Sequence, residues 1–224
     1  VVAVKLAQEG YGVTIFERMQ RIGGMLRYGI PDFRLPPSTL DRYEEKLYTL
    51  GIHIRPNTTI GGALTVDDLF RDGYETIFMG TGAWRAKSLG IHGETLGNCH
   101  FAVNYLQKPD VYRLGDRVAV IGSGNSAMDV ARTAIRKGSR YVTESERELE
   151  YALMDGCEIQ YGKGIHSVTP EGPMLYDRIF DEEQNLISEG APYLVPADST
   201  VIAASQAAKD KIVRTTTGIT LNKK

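Results

Sequence analysis

The sequence predicts an α/β protein built on parallel sheet, and three short apolar runs carry that expectation. Thr76-Ile77-Phe78-Met79 leads into Gly80-Thr81-Gly82, Arg117-Val118-Ala119-Val120-Ile121 into Gly122, and Thr200-Val201-Ile202-Ala203 into Ala204-Ser205. Runs that are apolar nearly throughout suit strands covered on both faces, as in parallel sheets flanked by helices. Segments of helical periodicity alternate with them. A length of 224 residues allows one large domain or two modest ones.

Taken in order, Val1 to Glu9 has helical spacing, with Gly10 as its stop, and Val13 to Glu17 reads as a buried strand ending in an acid. Ser38 to Leu50 is expected as a helix, with Ser38 as N-cap and Gly51 as terminator. Ile52 to Arg55 is a short strand, with His53 on its surface. Thr65 to Asp72 is a short helix, capped by Thr65 and carrying Asp67 and Asp68 in its first turn. The polar link Gly90 to Thr95 marks a domain boundary, and Phe101 to Gln107 a linking helix. Between Gly156 and Ala197 helical periodicity is lost, which suggests shorter strands and turns.

Composition narrows the function classes. Apolar residues make up 42% and charged residues 24%, and 26 basic against 28 acidic residues give a net charge of −2 without long runs of one sign. That balance points to neither nucleic acid nor an anionic membrane as partner. Two distant cysteines, Cys99 and Cys157, rule out a disulfide framework, a CxxC pair and a cluster ligated by this chain alone. A reduced, cytoplasmic setting fits. No apolar stretch reaches membrane-spanning length, and Val1 to Gly10 lacks the features of a signal peptide and reads as a helix entered midway.

The strongest chemical signal is Val118-Ala119-Val120-Ile121-Gly122-Ser123-Gly124-Asn125-Ser126-Ala127-Met128-Asp129, a G-x-G-x-x-A turn between a strand and a helix. Ala127, Val130, Ala131, Ala134 and Ile135 form one stripe, Gly138 ends the helix, and Arg140 to Thr143 is the next strand. Gly122 permits the tight turn, Gly124 lets backbone approach a pyrophosphate, and Ala127 allows close packing of helix on strand. The amides opening the helix face the phosphate, where the helix dipole favours negative charge. About twenty residues past the first glycine, an acid selects the NAD ribose and an arginine the NADP phosphate. Glu144 stands there with Arg147 close behind, so the nicotinamide stays open.

Other chemistries find little support. His53, His92, His100 and His166 form no metal-ligand spacing, and there is no G-x-S-x-G elbow. Cys99 and Cys157 read as buried small residues, Trp84 as packing or as a cofactor shield, and Glu144 to Glu150 as a solvated helix face.

The run Gly23-Gly24-Met25-Leu26-Arg27-Tyr28-Gly29-Ile30-Pro31-Asp32-Phe33-Arg34-Leu35-Pro36 is distinctive. With Val13 to Glu17, Gly80 to Trp84 leading to Leu89 to Glu94, and Gly122 to Ala134, it resembles the small (beta) subunit of glutamate synthase and related oxidoreductases. Those relatives include the FAD region of dihydropyrimidine dehydrogenase and subunits of ferredoxin-linked NADP oxidoreductases. The resemblance implies two Rossmann-like three-layer nucleotide-binding domains, with an NAD(P)H domain at residues 95–196 inserted into an FAD domain split between 1–94 and 197–224. It implies that Glu17 bonds the FAD ribose, that Gly23, Gly24 and Leu26 lie along the flavin, and that Arg34 sits near its phosphates or ring. Thr81 and Gly82 then mark the crossover, and Gly122, Ser123, Gly124, Asn125, Ser126 and Ala127 hold the nicotinamide dinucleotide. The family's first glycine motif, its C-terminal Gly-Asp segment and its paired arginine after the second strand have no counterpart here. Residues before Val1, after Lys224 and beyond Thr143 are therefore expected.

The expected reaction is hydride transfer from NADPH, or NADH, to FAD, with electrons passing to an iron–sulfur domain or large catalytic subunit. The chemistry belongs to the cofactors, so no catalytic acid or base is named. Without a CxxC, disulfide-reductase chemistry is disfavoured. A flavin-free NAD(P)-dependent dehydrogenase and a non-catalytic electron-transfer scaffold remain the alternatives.

Overall fold

The structure, a computed structural model, describes residues 1–62, 64–122, 124–144, 153–183, 185–209 and 211–218. It divides into two compact units. The first comprises Val1–Arg27, Asp32–Trp84 and Ala208–Lys224, and the second Tyr28–Pro31 and Arg85–Ala207.

In the first unit, helix α1 (Val2–Gln8) precedes strand β1 (Thr14–Phe16), and helix α3 (Pro37–Thr49) follows the short helix α2 (Met25–Tyr28). Strand β2 (His53–Arg55) pairs parallel to β1 in the register Ile15 to Ile54. The α3 start differs from expectation. Pro36 is the N-cap, Pro37 occupies the first turn, and Ser38 lies inside the helix. Proline is favoured there because its missing N–H has no intrahelical partner anyway. At the other end Gly51, at φ 72°, donates to the Tyr48 carbonyl and Ile52 to that of Leu47. This paired closure satisfies the last carbonyls and drives Ile52, 2% exposed, into the core. Helix α4 (Val66–Arg71) opens with a reciprocal capping box between Thr65 and Asp68.

The run 76–79 forms no strand, contrary to the sequence reading, and Phe78 is 69% exposed. An apolar run becomes a strand only where a neighbour completes its ladder. Among the described residues no strand pairs with it.

The second unit is built on a five-stranded parallel sheet in the order β4 (Cys99–Phe101), β12 (Ser199–Ile202), β5 (Arg117–Ile121), β6 (Tyr141–Glu144), β7 (Glu158–Ile159). Successive strand residues face opposite sides, yet Val118, Ala119 and Val120 are all buried, so both faces of β5 are covered. Helix α5 (Ala102–Gln107) and helix α6 (Asn125–Arg136) supply cover, and Tyr105, Ala127, Val130, Ala131 and Ala134 join the central core with Val118, Val120, Val142 and Val201. The predicted stripe on α6 is the buried face. Gly138 and Ser139 close that helix by donating to the Ile135 and Ala134 carbonyls.

Residues 163–194 form an antiparallel group: β8 (Lys163–Thr169), β9 (Gly172–Phe180), β10 (Leu186–Glu189) and β11 (Tyr193–Leu194). The chain then returns to the centre of the parallel sheet. β12 was expected among residues 197–224 of the split domain, but its pairing with both β4 and β5 sets it in the second unit. Pairing partners, unlike strands, leave no mark on local sequence. Strand β13 (Gln206–Ala207) next pairs with β3 (Arg85–Ala86), where the second unit begins. No helix among the described residues is long and apolar enough to cross a membrane.

Candidate functional site

In the second unit the glycine turn forms as the sequence requires: β5 ends at Ile121, and α6 starts at Asn125 with Gly124 as N-cap. Gly122, at φ 154°, sits so tightly that a Cβ there would meet the Ala203 oxygen at 2.7 Å and the Ala203 carbon at 3.0 Å. Its missing side chain lets the ends of β5 and β12 close together, and the Ala203 amide donates to the Ile121 carbonyl at 2.7 Å. Gly124 differs. Its backbone is extended (φ −105°, ψ 175°), and a Cβ would meet nothing within 4 Å. Open space therefore lies at the start of the helix.

The first amides of a helix have no carbonyl behind them. Here Ala127 donates to the Gly124 carbonyl at 2.8 Å, which leaves the Asn125 and Ser126 amides at the opening of α6. Asn125 is exposed and Ser126 half-buried, while Ala127 is 0% exposed and seats the helix on the sheet. Donors, dipole and an open approach suit an oxygen-rich anion such as a diphosphate. Ser123 lies outside the described residues. Glu144 ends β6 opposite Val120 of β5, but its side chain is also outside them, as is 145–150.

In the first unit Glu17 follows β1 directly. Its amide donates to the Arg55 carbonyl at 2.9 Å, and its carboxylate Oε1 accepts from the Met19 amide at 2.8 Å. A carboxylate offers about four acceptor sites, so this one bond orients the group without exhausting it. Gly23 and Gly24 take left-handed conformations, at φ 126° and 53°, and start α2 through bonds from the Leu26 and Arg27 amides. A Cβ on Gly23 would meet that of Arg27 at 2.9 Å, whereas Gly24 faces open space. Leu26 is 51% exposed, and Arg34, Thr81 and Gly82 are exposed as well.

Sequence reading passed over the group that fixes this glycine loop. Arg27 donates to the Ile22 carbonyl at 2.8 Å and to Asp41 at 2.9 Å, and Arg21 binds Glu44 at 2.6 Å and Asp41 at 2.8 Å. The Arg27 guanidinium, with Arg21 beside it, holds the Asp41 carboxyl below its ordinary range. Only the helical spacing of Asp41 and Glu44 hinted at such a clamp. Ala203, the residue against which Gly122 closes, was likewise invisible without the pairing of β12 and β5. A third feature is the Arg18 guanidinium over the Trp84 ring, 5.1 Å from its centroid.

The cysteines are both free and buried, and burial, reinforced by Glu94, pushes the Cys99 thiol up to about 11. Cys99 starts β4 and Cys157 precedes β7, at opposite edges of the parallel sheet. With strands about 5 Å apart, four steps separate them by roughly 19 Å, far beyond a disulfide's reach.

The chain is similar in sequence to several known oxidoreductase subunits. The chain is 42% identical over 146 residues to the beta subunit of an NADP(+)-dependent formate dehydrogenase of Moorella thermoacetica, a match covering 62% of this chain and 20% of that protein. It is 29% identical over 237 residues to the NADPH glutamate synthase small chain of Escherichia coli K12, covering 88% and 50%. It is 32% identical over 196 residues to the small chain of Azospirillum brasilense, covering 76% and 39%. The chain thus spans between a fifth and a half of the length of these relatives.

Two solved structures share the fold. A 2-naphthoyl-CoA reductase complex superposes with TM-score 0.75 at 20% identity, covering 95% of this chain and 32% of its own. FprA of Mycobacterium tuberculosis in complex with NADPH gives 0.72 at 15% identity, covering 92% and 67%. The sequence profile for pyridine nucleotide-disulphide oxidoreductases runs from residue 1 to residue 223. A match of that extent shows that the chain belongs to the pyridine nucleotide-disulphide oxidoreductase family.

Proposed function

We propose that this chain is the nucleotide-handling core of a flavin-dependent oxidoreductase, in which the second unit holds NADPH or NADH and the first unit FAD. The observation that carries the reading is the turn from β5 through Gly122 into α6, with open space at Gly124 and amide donors behind it. FAD, when bound, accepts a hydride and passes electrons onward, and an iron–sulfur domain or large catalytic subunit is the proposed recipient. Relatives named as a beta subunit and as small chains support a partner of that kind.

Each residue has a role that needs no acid or base. Asn125 and Ser126 orient the nicotinamide dinucleotide through their amides, Ser123 lines the same turn, and Ala127 and Gly122 keep helix and strands close enough to form it. Glu17 accepts the FAD ribose hydroxyls. Gly23, Gly24 and Leu26 border the flavin, Arg34 offsets phosphate charge, and Thr81 and Gly82 mark the crossover between units. The dithiol chemistry in the family's name has no pair here, since Cys99 and Cys157 sit on opposite sheet edges. NADPH is the first donor to test because relatives carry it in their names, whereas an acid at Glu144 favours NADH. Free buried thiols support a reduced compartment such as the cytoplasm.

Purified protein should show the yellow absorbance of bound flavin and lose it anaerobically on addition of NADPH or NADH. A colourless protein that reduces NAD(P) with a substrate instead would replace this reading with a flavin-free dehydrogenase. Binding of a partner but of neither nucleotide would leave a scaffold.

A further inference from the structure

We propose that Asp41 and Glu44 of α3 are positioning residues for the flavin, acting through Arg27 on the Gly23–Gly24 turn. The inference rests on the FAD assigned above to the first unit and names what holds its glycine turn in shape.

Arg27 clasps that turn at both ends. Its guanidinium Nε donates at 2.8 Å to the carbonyl of Ile22, the residue before Gly23, and its amide donates to the Gly24 carbonyl at 3.1 Å. The stem lies so close that a Cβ on Gly23 would meet that of Arg27 at 2.9 Å. The clasp ends at open space, for a Cβ on Gly24 would meet nothing within 4 Å and Leu26 is 51% exposed. What it orders is therefore backbone facing a ligand's room rather than the core.

An arginine side chain has several rotatable bonds, and α3 removes their freedom. Asp41 accepts from Arg27 at 2.9 Å and Glu44 at 3.5 Å. Only 10% of the Arg27 side chain and 11% of that of Glu44 is exposed, so salt screens the pair weakly. Arg21 binds the same two carboxylates, Glu44 at 2.6 Å and Asp41 at 2.8 Å. Two cations and two anions balance, and the shared carboxylates keep the guanidiniums from repelling one another. With one carboxylate neutralised, both guanidiniums compete for the other, and Arg27 loses its fixed place.

Glu44→Gln keeps the shape of the side chain and removes its charge. It should weaken FAD binding about tenfold and shift the Gly23 and Gly24 amide resonances of the flavin-free protein. In the loaded protein the uncompensated positive charge should raise the flavin midpoint potential, because it favours the electron-rich reduced form. Adding Arg21→Gln restores the charge balance and leaves Arg27 against Asp41. FAD affinity, potential and both resonances should then return towards those of the unmodified protein. A cluster acting only as glue gives the opposite result, since the second change deletes further contacts and deepens the loss. Asp41→Asn, at a side chain 39% exposed, repeats the first test should Glu44→Gln fail to fold. Unchanged FAD affinity and glycine resonances in folded Glu44→Gln, or a double variant worse than the single one, would overturn the positioning role while leaving flavin binding intact. An unmodified protein that binds no FAD would instead remove the flavin assignment, and this role with it.

Discussion

Gly124→Asp is expected to weaken nicotinamide nucleotide binding about a hundredfold without weakening the fold. Aspartate is among the preferred N-cap residues, and its carboxylate accepts amides of the first turn, so helix α6 should gain a few tenths of a kcal/mol over the glycine cap. The backbone at Gly124 is extended, and a Cβ meets nothing within 4 Å, so no strain offsets that gain. The same carboxylate enters the space proposed for the diphosphate and competes for its donors. Like charges about 5 Å apart near a protein surface repel by roughly 3 kcal/mol, enough for the stated loss. Unchanged or raised stability in urea, measured beside a calorimetric titration with NADPH, would separate this effect from misfolding. Retained affinity would show that the turn does not hold the nucleotide.

Two residues away, Gly122→Ala should do the reverse and strike the fold first. The added Cβ would fall 2.7 Å from the Ala203 oxygen and 3.0 Å from its Cβ, in a conformation of φ 154° that side chains rarely adopt. Neither neighbour yields easily, because Ile121 and Ala203 are joined by a backbone bond at the ends of the two central strands. Overpacking and backbone strain together should cost about 2–4 kcal/mol. A lower denaturation midpoint with an unchanged slope is the expected reading. The two glycines of one motif thus serve different ends, one closing strands and one leaving room.

That division was legible only in part from the sequence. The strand, turn and helix at 117–136 could be placed because period, glycine spacing and small residues all agree there. The same holds for the Thr65 cap and for the glycine stops after α3 and α6. What stayed hidden depends on long-range pairing. Nothing local tells Thr200–Ala203 that it inserts between β4 and β5, and so nothing showed why Gly122 must lack a side chain. The 76–79 run looked like a strand by composition, but a strand is a relation to a neighbour, and composition does not contain the neighbour. The reverse error spared Ser38, a good cap residue, from being one, because Pro36 and Pro37 set the backbone earlier. On the first unit, the run at 23–36 flagged a site by resemblance, while the Arg21–Arg27–Asp41–Glu44 clamp that shapes it emerged only from the packing of α2 on α3.

The most direct test of the central claim is an amide NMR titration of the protein with NADPH, using NADH in parallel. Saturable shifts should appear at Gly124, Asn125 and Ser126, with the β8–β9 hairpin unmoved. If those amides keep their positions at nucleotide concentrations that occupy the protein, the diphosphate lies elsewhere and the assignment of the second unit is wrong.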